Sequence, residues 1–174
     1  APRDVTFLTK DRINLAGTYW QSNQGEESPV VVFLHDEGGN RLIWGGANGI
    51  ASTLQRAGYG VITVDLRGHG QSVPDGDATG PANRSRKKGK APKLKPIDYQ
   101  NMVALDMEAV KDFIYTEHQA KRLNMNKTGI VGAGMGAAVA VGFAWNDWLK
   151  KPYPDGPIGS QTPRGQDVRA LVLY

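Results

Sequence analysis

A chain of 174 residues, 40% hydrophobic and 22% charged, carries enough apolar material for one folded core and is too apolar for a disordered segment. It has no cysteine, which excludes disulfides, thiolate zinc sites and a cysteine nucleophile. The net charge of +4 is local: Arg84, Arg86, Lys87, Lys88, Lys90, Lys93 and Lys95 share one stretch without an acid, and the other 14 basic residues face 17 acidic ones, which excludes a generally basic surface.

In chain order, Val5 to Thr9 and Leu15 to Trp20 are short β-type runs joined by the polar Lys10-Asp11-Arg12, the pattern of an antiparallel hairpin. Val30 to Leu34 is a continuous apolar run, as expected of a strand covered on both faces. A helix is predicted to follow as far as Ala57 and to stop at Gly58. Gly60 to Asp65 gives the next buried strand, ending in Leu66-Arg67-Gly68-His69-Gly70.

Residues 74–98 form a basic insert, in which Pro81, Gly89, Pro92 and Pro96 interrupt any apolar period, so a long loop is predicted there. Clustered Lys and Arg suit an anionic polymer or membrane surface, with affinity falling steeply as salt rises; the absence of interleaved aromatics argues against base stacking. From Asp98 to Glu117, Val103, Met107, Val110 and Ile114 recur at helical spacing and define one apolar face. Thr128 to Val131 reads as a strand and Ala137 to Trp148 as an alanine-rich helix, with Pro152, Pro154 and Pro157 beyond it. Val168 to Leu173 begins one more strand. A hairpin followed by alternating strands and helices predicts an α/β sheet, mainly parallel, with its sites at the carboxyl ends of the strands.

Ala at position 1 in place of Met predicts a processed start, and the N-terminus lacks the pattern of a signal peptide. No apolar run approaches the eighteen or so residues of a membrane-spanning helix, which predicts a soluble chain. Three dispersed histidines, His35, His69 and His118, lack ligand spacing, so neither a metal nor another cofactor is expected.

Residues 130–137, Ile-Val-Gly-Ala-Gly-Met-Gly-Ala, fit two chemistries. As Gly132-x-Gly134-x-x-Ala137 they match a dinucleotide fingerprint, yet the strand that follows comes too late and ends in Leu173-Tyr174 without the carboxylate that would hold a ribose. As Gly132-x-Gly134-x-Gly136 they match a nucleophile elbow with glycine in the nucleophile's place.

Two further turns favour the elbow. His35-Asp36-Glu37-Gly38-Gly39 follows the third strand, and Asp65-Leu66-Arg67-Gly68-His69-Gly70-Gln71-Ser72 follows the fourth. With Gly132 to Gly136 after the fifth, the chain resembles the N-terminal part of the α/β-hydrolase family, esterases and lipases included, over nearly its whole length. The resemblance implies one incomplete domain over residues 1–174: a three-layer sandwich with a mostly parallel sheet, an N-terminal antiparallel hairpin and its C-terminal strands missing.

It further implies an oxyanion hole formed by the backbone N–H groups of Glu37 and Met135, flanked by the elbow glycines Gly132 and Gly136. Gly134, in the central place, offers no atom to attack a carbonyl carbon. Asp36 replaces the family's usual glycine after the histidine, and Asp36 and Glu37 bring two carboxylates toward a site meant for negative charge. The family's acid and general-base histidine lie after later strands, so no full triad is expected within these 174 residues. The implied reading is a noncatalytic or degenerate homologue that binds a small ligand, interacts with another protein or serves a structural role. The rival is an ester hydrolase completed by residues outside this chain. Ser72, His35, His69 and Asp65 are expected to stabilise turns, and His118 to lie near a helix end. The apolar last strand, left as an edge, predicts a neighbouring chain or a further segment beside it.

Overall fold

The computed structural model describes residues 1–72, 94–151 and 165–174. Arg84, Arg86, Lys87, Lys88, Lys90 and Lys93, and Pro152, Pro154 and Pro157, lie outside the described residues. β1 (Arg3–Leu8) and β2 (Asn14–Trp20) form the antiparallel hairpin, with Arg12 in the turn at φ 64°. β3 (Val30–Leu34), β4 (Gly60–Val64), β5 (Thr128–Gly132) and β6 (Val168–Leu173) run parallel to one another, giving one six-stranded sheet in the order β1-β2-β4-β3-β5-β6.

Alternation along the central strands assigns side chains to two cores. Val30, Val32 and Leu34 face one side with Ile62, Val64 and Ile130, where helices α3 (Met107–Gln119) and α4 (Met135–Leu149) cover them through Met107, Val110, Ile114, Val139 and Phe143. Phe33 and Val61 face the other, under Ala51 and Leu54 of α1 (Ile50–Arg56) and beside Trp20 and Trp44. The apolar run of β3, and that of β4 broken only by the buried Thr63, is thus the signature of burial on both faces.

The helix expected between β3 and β4 is shorter than predicted. A 3-10 turn at Arg41–Trp44 comes first, and α1 begins only at Ile50, because Gly45, Gly46 (φ 97°) and Gly49 intervene. Its end is as expected, with Gly58 at φ 96° beyond the last turn. The helical region after the insert is also interrupted. α2 (Pro96–Asn101) starts with Pro96 and with the Asp98 side chain accepting the Lys95 N–H, and a π-helical turn, Met102–Asp106, separates it from α3.

β6 is an edge strand with Leu171, Val172 and Leu173 exposed, next to exposed Trp145, Trp148 and Leu149 of α4. Its start is pinned by the fully buried Asp147, which pairs with Lys111 and accepts the N–H groups of Asp167 (2.8 Å) and Val168 (3.1 Å). Among the described residues no helix is long and apolar enough to cross a membrane.

Candidate functional site

The parallel order brings the three turns singled out in the sequence to one end of the sheet, because each follows the carboxyl end of β3, β4 or β5. The β4 turn is a framework. Asp65, fully buried, accepts the Arg41 N–H (2.6 Å) and the Gln71 N–H (2.9 Å) and pairs with the Arg41 guanidinium. A side chain at Gly70 (φ 51°) would overlap the Asp65 carboxylate. Ser72 accepts the Ala16 N–H (2.8 Å) and donates its hydroxyl to the Asp65 carbonyl (2.5 Å), so it ties the turn to β2. Arg67 is held by Asp106 and Asp11, which fixes the π-helical turn and the hairpin to the same corner.

His35 is fully buried with both ring nitrogens engaged. Nε2 must accept, since its partner is the Leu66 N–H (3.1 Å), and Nδ1 therefore donates to the Asp36 carbonyl (2.7 Å). The ring is thus a neutral imidazole. Burial lowers its pKa below the ordinary histidine value, and the His69 ring, 4.9 Å away centre to centre, also opposes a second charge. A group whose native pKa is depressed favours folding fully above its unfolded value of about 6.5 and loses that contribution as pH falls below it toward the native value. The expected result is a His35 ring that titrates by NMR below the ordinary imidazole value, with unfolding free energy declining below about pH 6.5. A His35 ring that titrates at the ordinary value would contradict this.

The β5 turn carries the sequence expected of an elbow. Gly134 adopts φ 51°, ψ −113° immediately before α4. Three successive amides leave it in three directions: Ala133 N–H donates to the Leu34 carbonyl (3.1 Å), Gly134 N–H to the Tyr174 carbonyl (3.1 Å), and Met135 N–H to Asp36 Oδ1 (2.8 Å). The flanking glycines are required by close approach. A Cβ on Gly136 would lie 2.5 Å from the Leu34 carbonyl oxygen, and one on Gly132 would lie 2.5 Å from the Gly136 carbonyl oxygen.

The two amides expected to form an oxyanion hole, those of Glu37 and Met135, converge on one atom, Asp36 Oδ1, at 2.7 and 2.8 Å. The Met135 bond first, and the Glu37 bond second, hold the Asp36 carboxyl below the usual carboxylate range. The two carboxylates brought here by the sequence therefore part company. Asp36 turns onto the donors, while the Glu37 carboxylate accepts from the Tyr99 hydroxyl of α2 (3.3 Å). Sequence reasoning placed both acids near the donors but not the Asp36 contact; its available signal was the pairing of an extra side chain at 36 with a missing one at 134. His69 donates from Nδ1 to the Arg67 carbonyl (3.0 Å), and His118 Nδ1 lies 3.1 Å from the Leu123 carbonyl oxygen at the end of α3.

Residues 31–173 match the alpha/beta hydrolase family, and the chain belongs to it. No curated protein matches the sequence. Among solved structures, a hypothetical protein from Pseudomonas aeruginosa aligns with TM-score 0.65 and 19% identity over 99% of this chain and 42% of its own. The acetyl xylan esterase from Paenibacillus sp. R4 aligns with TM-score 0.59 and 25% identity over 82% and 44%. An esterase from Pyrococcus furiosus aligns with TM-score 0.54 and 23% identity over 81% and 45%. The chain thus spans less than half the length of each of these structures.

Proposed function

We propose that this chain is a noncatalytic member of the α/β-hydrolase family, whose elbow region has passed from covalent chemistry to ligand binding or structural support. One observation carries the reading: glycine occupies the centre of the elbow, and the carboxylate of Asp36 accepts both amides that would otherwise stabilise an oxyanion. Without a nucleophile no acyl intermediate forms, and with a resident anion on the donors a second negative charge is disfavoured at the same point. The same carboxylate argues against a nucleotide phosphate at the glycine turn, since the Met135 amide at the start of α4 is already taken.

The rival, an ester hydrolase completed by residues outside the chain, draws its support from the neighbours named as esterases. A fluorophosphonate probe and a short-chain aryl ester separate the two. The expected result is no covalent adduct by intact mass and hydrolysis no faster than buffer, both for this chain and for any longer chain that contains it. Stoichiometric labelling, or turnover that the probe abolishes, would establish the rival.

A further inference from the structure

We propose that Asp36 is a built-in carboxylate ligand of the two-amide cradle formed by Glu37 and Met135, and that its occupancy and a side chain at position 134 exclude each other. Asp36 and Gly134 are then a single device built from two strand ends.

The geometry on both sides is specific. The bond from Glu37 to Asp36 Oδ1 is local, between neighbours in sequence, and would form in many turns. The bond from Met135 is different in kind, since it joins the loop after β3 to the first residue of α4, 99 positions away. A single oxygen accepting two backbone amides, one of them at the start of a 15-residue helix, is in the arrangement that favours an anion. Asp36 is exposed, so its charge is not gained at the cost of burial. On the other side, a Cβ built on Gly134 would overlap Asp36 Oδ1 and Cγ, and its third neighbour is Oδ2 at 2.6 Å. The volume of a side chain at the elbow's centre and the volume of the Asp36 carboxylate are the same volume. The backbone also favours glycine, since φ 51° with ψ −113° lies outside the left-handed helical region and strains a residue that carries a Cβ.

A serine introduced at position 134 alone would meet the Asp36 carboxylate, so the side chain and the carboxylate cannot both hold that space.

A double-substitution cycle tests it, using wild type, Asp36→Gly, Gly134→Ala and the double variant, each followed by urea unfolding. Gly134→Ala is expected to lower the folding constant about tenfold more in the presence of Asp36, where the carboxylate must leave its two amides, than in the Asp36→Gly background, where only the backbone conformation opposes it. Equal losses in the two backgrounds would overturn the proposal. Should Gly134→Ala fail to fold, the Met135 amide proton of wild type and Asp36→Gly gives the answer without it. The proposal requires an upfield move of that proton when Asp36 is removed, and an unchanged position would refute it. Both measurements read the contact itself, so they stand or fall separately from probe labelling.

Discussion

Replacing Arg67 by alanine is expected to cost about 3–5 kcal/mol of stability, the range for removing one partner of a buried ion pair. The guanidinium is almost fully buried and donates to Asp106 through Nε (2.9 Å) and Nη2 (2.6 Å), while the Arg67 N–H reaches the other Asp106 oxygen at 3.2 Å. Nη1 reaches Asp11 in the hairpin turn at 2.9 Å. Without Arg67 the fully buried Asp106 keeps one backbone donor and no countercharge, at a site where burial already pushes its carboxyl up. Arg67→Ala is therefore expected to shift the urea midpoint downward, and Asp106→Asn in the same background to recover part of the loss by removing the stranded charge. The partial recovery is the informative result. A neutral Arg67→Ala would show that the β4 turn is held without the ion pair.

Gly136→Ala is expected to be nearly as severe, about 3 kcal/mol, the upper end of the usual cost of overpacking. The added Cβ would stand 2.5 Å from the Leu34 carbonyl oxygen and 2.6 Å from that of His35, and both are backbone, so no side-chain rotation relieves them. The first turn of α4 would have to lift from the end of β3, taking the Met135 amide away from Asp36. Gly129→Ala supplies the control. A Cβ there meets its nearest neighbours at 3.8 to 4.0 Å, ordinary contact, and β5 is expected to tolerate it or gain slightly from the stiffer backbone. Circular dichroism melts of the two variants test the contrast, and equal melts would show that the elbow glycines are not sterically required.

Much of this architecture was legible because burial writes itself into sequence. Val30 to Leu34 is apolar without alternation and Val61 to Val64 nearly so, with Thr63 the one polar residue, as strands covered on both sides must be, and the Met107, Val110, Ile114 spacing marks the face of α3 that covers them. The region between β3 and β4 was less legible. Apolar residues such as Leu42 and Ile43 suggest helix continuing from the loop, but glycines at 45, 46 and 49 confine it to a 3-10 turn and a separate α1. The π-helical turn before α3 left no trace in periodicity either. It is visible only through its effect, the carriage of Asp106 to Arg67.

At the site, the glycine at 134 and the pair of acids at 36 and 37 were apparent as departures from the family's pattern. Their relation to each other was not. Periodicity and motif spacing locate residues on strand ends, but a carboxylate's rotamer and an amide's direction are set by the tertiary approach of β3 and α4. Only that approach shows that one acid lies on the donors and the other turns to Tyr99.

The overlap between Asp36 and a side chain at 134 also has a historical consequence. Two single substitutions separate the family's usual pattern, glycine at 36 and serine at 134, from the Asp36 and Gly134 of this chain, and the two orders of making them are unequal. Losing the side chain at 134 first leaves a vacant but unstrained turn into which an aspartate can later settle; acquiring the aspartate first sets two groups in one space. Once both changes are in place, no single step leads back without passing through that collision or through a chain lacking both groups. The overlap thus leaves one unstrained path in either direction, through a chain with glycine at both 36 and 134.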